Sequence, residues 1–336
     1  MKMALSDFDK KILFELDKDG RASFSAIAKA LSTTPQVVKY HYNQLIARGV
    51  IDKFWAFVDY DRAGYSFFWG YWFKFSGMSK ETEEAMYAYL RAHPRIPIVM
   101  RSDGYANLFI AIIAEDVFRH NTILQEFTGK YGEFIAENDI VVGLGFEKFP
   151  RGYLLGGHDT PQEKALSGGT TNTAKLSELD RKMLSLLQED GRMDFTQMAH
   201  ILSSSPSLVQ KHYHKLVNDA VITKTTYTLN FEKAGLLYYR VLFKVAQFDP
   251  ARVEAFHTFC ATHPNIVNYV NVMGNWQLML DIEIESRETL RDILQQIRYS
   301  FRDVVYQIEV NEIYKIEKFT QMAIEYPELS VVQKEA

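Results

Sequence analysis

The chain has 336 residues, 47% of them apolar and 24% charged, and a net charge of -4. At about 100–200 residues per domain that length holds two to four domains. No run of about 18 apolar residues suggests a membrane span, and the single cysteine, Cys260, excludes an internal disulfide and a cysteine-rich zinc site. The acidic balance excludes a broadly basic nucleic-acid binder. From Met1 to Tyr60 nine Lys/Arg face seven Asp/Glu, so any nucleic-acid contact has to come from a small, focused surface. The start, Met1-Lys2-Met3-Ala4, runs into an amphipathic pattern with no secretory segment, which points to the cytoplasm.

Ser6 caps a first helix that runs to about Lys18, with Asp9 in the capping-box position. Phe8, Ile12, Leu13 and Leu16 form its apolar stripe. Asp19-Gly20 ends it, and Phe24, Ile27, Ala28 and Leu31 make a short second helix. Thr34-Pro35 opens a third, which runs through Val37, Val38, Leu45 and Ile46 and stops at Arg48-Gly49. Val50-Ile51 and Phe54 to Val58 follow as strands of a small wing. Three helices with a short turn before the third make a winged helix-turn-helix, whose third helix can enter a major groove.

The period then changes. Ser66 to Phe75 predicts a strand, Lys80 to Ala92 a helix, Ile96 to Arg101 and Asn107 to Ala114 two strands around a turn at Ser102-Asp103-Gly104, Val117 to Tyr131 a helix, and Ile140 to Phe149 a last strand. The order is βαββαβ, a ferredoxin-like α+β unit. The strand Phe67-Phe68-Trp69-Gly70-Tyr71-Trp72-Phe73 has almost no polar side, so its sheet needs cover on both faces.

The whole pattern then returns. Leu5-Ser6-Asp7-Phe8-Asp9 comes back as Leu176-Ser177-Glu178-Leu179-Asp180, Asp19-Gly20-Arg21 as Asp190-Gly191-Arg192, His41-Tyr42 as His212-Tyr213, and Glu147-Lys148 as Glu317-Lys318. The offset is 171 early and 170 later, with one residue gained or lost near Tyr65. A repeat this long is a duplicated protein and not a solenoid unit. The expected architecture is α+β: winged helix-turn-helix domains at 1–60 and 175–231, ferredoxin-like domains at 64–150 and 235–326, and a linker at 151–174. Gly156-Gly157 and Ser167-Gly168-Gly169-Thr170-Thr171-Asn172-Thr173 make that linker flexible.

These features resemble the Lrp/AsnC, or feast/famine, family of prokaryotic transcription regulators. The resemblance rests on Leu-Ser-x-x-Asp-x-x-x-Leu at each start, Asp-Gly-Arg before helix 2, Ser/Thr-Pro at helix 3, the exits Gly49-Val50-Ile51 and Ala220-Val221-Ile222, and a glycine turn between strands 2 and 3 of each αβ unit. It covers nearly the whole chain, twice. It implies RAM-type αβ domains that dimerise and bind small effectors, double-stranded DNA as partner, no enzymatic activity and no cofactor. Two full-length units in tandem imply a fused pseudo-dimer, with a homodimer of the fused chain as a further level of assembly.

On the exposed side of helix 3 the DNA-contact candidates are Gln36, Lys39, Tyr40, His41 and Asn43 in the first half. Ser207, Gln210, Lys211, His214 and Lys215 are those of the second. Lysines and a helix N-terminus can hold phosphate, while Gln, Asn and His can read base edges. The two faces differ, which suits an asymmetric target. His212 and His214 lie two apart on a helix and point to different faces, so no metal site is expected. The effector candidates are Asp103, Gly104, Tyr105 and Asn107 in one turn and Gly274, Asn275 and Gln277 in the other, because turn NH groups can hold a carboxylate and an amino acid is the family's usual effector. Asn107 and Gln277 stand where the family often has aspartate. A related branch decarboxylates sirohaem with a histidine and an arginine on strand 2. Here Arg101 matches the arginine and Val99 and Met100 leave the histidine missing, so a ligand-binding or decarboxylase-like scaffold without strong DNA binding is the alternative.

Overall fold

The computed structural model describes residues 5–65, 67–157, 164–169, 172–246, 249–323, 326 and 329. The first half begins with α1 (Asp7–Lys18), α2 (Phe24–Ala30), α3 (Pro35–Ala47) and β1 (Ile51–Val58). It continues as β2 (Phe67–Phe75), α4 (Lys80–Ala92), β3 (Ile98–Gly104), β4 (Leu108–Ala114), α5 (Val117–Tyr131) and β5 (Ile135–Lys148). A 3-10 turn (Gly152–Leu155) and β6 (Ala165–Ser167) lead to the second half, α6 (Glu178–Glu189), α7 (Phe195–Ile201), α8 (Pro206–Asn218), β7 (Ile222–Leu229) and α9 (Phe231–Ala234). There follow β8 (Leu237–Val245), α10 (Pro250–Thr262), β9 (Ile266–Gly274), β10 (Leu278–Ile284), α11 (Arg287–Ser300) and β11 (Val305–Phe319). Both predicted capping boxes form, Ser6 with Asp9 and Ser177 with Asp180. Ser66, where the first αβ strand was expected to begin, and Thr170-Thr171 of the expected linker lie outside the described residues.

The two αβ units share one closed sheet. Each has the ferredoxin-like strand order, β5-β2-β4-β3 and β11-β8-β10-β9, and the free edges pair across the halves, β3 with β11 and β5 with β9. Eight antiparallel strands thus close a barrel and leave no open edge among them, which removes the aggregation hazard of an unpaired strand. The closure explains the absence of a polar side on β2. Phe68, Gly70 and Trp72 face the barrel interior with Met100, Phe109 and Val141 and with Leu242, Val270 and Met279 of the other half. Trp69, Tyr71 and Phe73 face outward under α4 and α5, against Met86, Leu90, Ile123 and Phe127.

The heads are exchanged. The residues expected to form a small wing on each head form one continuous strand, β1 or β7, and these two strands pair with each other antiparallel, Phe54 opposite Tyr227. The first head's core is completed by Tyr227, Leu229 and Leu236 of the second half, and the second head's core takes in Ala56 and Val58 of the first. The repeated Asp-Gly-Arg motif makes this exchange possible. Gly20 donates its backbone NH to Thr225 O at 2.8 Å and Gly191 to Phe54 O at 2.8 Å, so close that a Cβ on either glycine would lie 2.9 or 2.7 Å from the facing backbone. The next residue reaches across: Arg21 donates to Gly191 O and Met193 O and covers the Phe195 and Tyr213 rings, while Arg192 donates to Gly20 O and Ala22 O and covers Phe24, Tyr42 and Phe54.

The expected flexible linker is built into the fold at both ends. Arg151, just after β5, is buried in an ionic cluster, the 3-10 turn packs Leu154 into the first head's core, and β6 extends the barrel sheet on β5. No helix among the described residues is long and apolar enough to cross a membrane.

Candidate nucleic-acid interface

Helices α3 and α8 start alike: Thr34 and Ser205 cap them through their side-chain oxygens, and Pro35 and Pro206 fill the first turn. Val38 and Leu45, and Val209 and Leu216, are their buried anchors. The residues repeated between the halves do structural work. His41 places Nδ1 2.8 Å from Asp9 Oδ1, and His212 places Nδ1 2.7 Å from Asp180 Oδ1. One aspartate therefore closes the capping box of the head's first helix and also anchors its third. These bonds hold the Asp9 carboxyl below its ordinary range and the Asp180 carboxyl down to about 2, against a burial effect that acts the other way. Tyr42 and Tyr213 pack on Phe24 and Phe195 under the arginine from the opposite half.

The residues that differ between the halves are the ones left facing solvent. Gln36, Lys39, Tyr40 and Asn43 are exposed on α3, and Ser207, Gln210, Lys211 and His214 on α8. Tyr40 is 61% exposed, with its ring edge to face against His41 at 5.5 Å between centroids. Two candidates sit elsewhere: His41 turns inward to Asp9, and Lys215, though exposed, pairs with Asp180 at 3.0 Å and donates to Lys175 O. Sequence reasoning missed both, because the aspartates that hold them lie 32 and 35 residues away and no local spacing reports such a contact. Residue by residue, Gln36 faces the solvent where the other head has Ser207, Lys39 where it has Gln210, Tyr40 where it has Lys211, and Asn43 where it has His214.

The two glycine turns meet at one end of the barrel, each across a seam between halves. Gly104 has φ +124° and a Cβ there would lie 2.3 Å from Val310 O; Gly274 has φ +141° and a Cβ would lie 2.5 Å from Ile140 O. Only glycine fits such backbone without strain. Tyr105 and Trp276 meet edge to face, with ring centroids 5.4 Å apart, and both hydrogen-bond Asp139, as does Asn275 at 3.0 Å. Asn107 and Gln277 accept from Phe75 N and Val245 N, so their side chains tie each turn to the end of the neighbouring strand, β2 or β8. Asp103 is exposed. A buried ion pair lies in the barrel interior, Arg240 with Asp281 at 2.6 and 2.8 Å, which Asn268 joins at 2.8 Å. Arg101 is fully engaged: it pairs with Glu84 and Glu317 and lies over the Tyr87 ring, 3.6 Å from its centroid.

Residues 5–52 match the winged helix-turn-helix DNA-binding family, and residues 176–217 match the AsnC-type helix-turn-helix domain. An uncharacterised HTH-type transcriptional regulator of Pyrococcus horikoshii is 31% identical over 124 residues, which cover 37% of this chain and 77% of that protein. The chain belongs to the Lrp/AsnC family. A second relative, the HTH-type transcriptional regulator LrpC of Bacillus subtilis, is 25% identical over 122 residues, 36% of this chain and 83% of its own length. The tandem arrangement of two Lrp/AsnC units has a whole-chain counterpart in the crystal structure of the siroheme decarboxylase NirDL, which covers 98% of both chains with a TM-score of 0.60 at 12% identity. At that identity the likeness is one of fold.

Proposed function

We propose that this chain is a DNA-binding transcription regulator of Lrp/AsnC type in which fusion has produced a pseudo-dimer with two unlike reading heads. One observation carries the reading. Within a repeat that keeps its packing residues, the solvent face of helix 3 is where the halves diverge, and both faces present lysine beside Gln, Asn, His or Tyr. Lys39 and Lys211 would contact phosphate, and Gln36, Asn43, Gln210 and His214 base edges. Because β1 and β7 form one ribbon and Arg21 and Arg192 clasp it, the heads are held as a unit, and their target is one asymmetric duplex site. The chain acts in the cytoplasm, by binding and not by catalysis. Self-association of fused chains would place further heads along the duplex. A small effector at the paired glycine turns would need a cationic group toward Asp139, since most turn polar atoms there are already bonded. The test is affinity for random-sequence duplex against salt: a log-log slope of several phosphates, at about −0.9 each, supports the reading, and no measurable binding at low salt refutes it.

The second reading, a sirohaem-decarboxylase-like enzyme, draws on the whole-chain fold shared with NirDL. Against it stand the engagement of Arg101 and the apolar Val99 and Met100 on the same strand. Titration with iron-uroporphyrin, followed in the Soret band, separates the two: tight binding favours the enzyme and its absence the regulator.

A further inference from the structure

The duplication places the same junction in the protein twice, where the end of a head's first helix meets the ribbon and the last barrel strand. At the first junction Asp17 is completely buried. It accepts from Arg151 N and Nη1 at 3.2 and 2.7 Å and from the Thr226 hydroxyl, with Lys148 at 3.4 Å and Lys224 at 3.9 Å. At the second, the repeat offset puts Gln188 in the place of Asp17 and Gln321 in the place of Arg151, and it keeps both lysines as Lys53 and Lys318. The geometry is conserved to the hydrogen bond, since Gln321 N donates to Gln188 Oε1 at 2.7 Å as Arg151 N does to Asp17. The carboxylate that neutralised the lysines is gone.

Neither lysine replaces it. Lys53 donates to Gln188 O at 3.1 Å and Lys318 to His93 O at 2.7 Å, and neither forms an ion pair among the described residues. Both face a cleft of about 450 Å³ that is lined also by Arg91, Asp52, Glu189 and Glu317. Glu317 is already held by Arg91, Arg101 and Lys315. Glu189 acts on both lysines through space, Asp52 on Lys53 alone, and neither touches them. Burial pushes both ammonium groups down, Lys318 to about 8, with Glu189 acting against it through space, while the hydrogen bonds of both lysines go to backbone carbonyls and not to a carboxylate.

We propose that this cleft binds one small oxyanion per chain, with Lys53 and Lys318 as its ligands, where the other half uses the carboxylate of Asp17. A carboxylate or a phosphate group on a small molecule meets that requirement, and the cleft has room for a body of several atoms beyond it. The bound anion would tie the ribbon under the heads to the barrel, as Asp17 does opposite. The test is isothermal titration of the full chain at pH 7 and constant ionic strength, with inorganic phosphate and with succinate, against a chloride background. Saturable binding of either probe at one per chain is expected; phosphate alone points to a phosphorylated ligand, succinate alone to a carboxylate. Lys53→Gln with Lys318→Gln should weaken binding at least tenfold. Gln188→Asp, which puts a carboxylate back in the place that Asp17 holds at the first junction and keeps both lysines, should do the same. No saturable binding of either probe, two sites per chain, or binding undiminished in Gln188→Asp would overturn the proposal.

Discussion

Replacing Asp17 with asparagine tests whether the first junction holds as an ionic cluster. Three cations, Lys148, Arg151 and Lys224, and two carboxylates, Asp17 and Glu283, meet there out of water, with Arg151 bridging both acids at 2.7 and 2.8 Å. Asparagine keeps the shape and removes one negative charge, so the cluster goes from one excess positive charge to two. Removing one partner of a buried pair costs about 3–5 kcal/mol, because the remaining charge stays desolvated. Equilibrium urea unfolding at pH 7 should show a loss of that size. The pH dependence gives a second check. Burial opposes ionisation of Asp17, but the three cations hold its carboxyl far below the usual range. A depressed carboxyl stabilises the fold fully above the unfolded value of about 3.9, and that contribution is lost as pH falls below it. The gap between wild type and variant should therefore be widest at neutral pH and should close in acid. A loss under about 1 kcal/mol, or one that does not change with pH, would refute the argument and would mean that the junction is held by packing alone.

Other outcomes follow from the heads and seams. Lys39→Ala and Lys211→Ala should each weaken DNA binding on every sequence and lower the salt slope by about one, while leaving urea stability unchanged; fluorescence anisotropy on two unrelated duplexes checks this. Asn43→Ala should cost affinity for a selected site by about 1–3 kcal/mol and little on random duplex. Asp180→Asn removes the charge and one of the two acceptor oxygens shared by Ser177, His212 and Lys215, and should cost about 1 kcal/mol or more. Since the folded carboxyl titrates near 2, that contribution should persist to about pH 4 and disappear between about 4 and 2 in a urea series. Arg192→Ala takes away two backbone hydrogen bonds and the cover over three rings, so limited proteolysis should release the first head sooner than in wild type.

How much was legible depended on the range of the interaction. The helix limits were, because caps and periodic stripes act within four residues: Ser6, Thr34-Pro35 and Ser205-Pro206 begin helices where predicted. The βαββαβ order and the need to cover both faces of β2 were legible for the same reason. The wings were not. A strand's hydrogen bonds do not name their partner, and Phe54 to Val58 pairs with the equivalent strand of the other half. Among the candidate contacts, the exposed positions of helix 3 followed from its period, but His41 and Lys215 were diverted by Asp9 and Asp180, charges 32 and 35 residues away.

The amino-acid sequence by itself determined that the protein is one αβ plan written twice, since duplication, caps and periodicity are properties of neighbours along the chain. Only the tertiary structure decided that the two copies exchange wing strands, close a common barrel and end as unequal junctions, one neutralised by Asp17 and the other left with Lys53 and Lys318. Edge pairing and the neutralisation of buried charge both depend on which groups meet across about 170 residues of chain, and that distance is set when the fold closes.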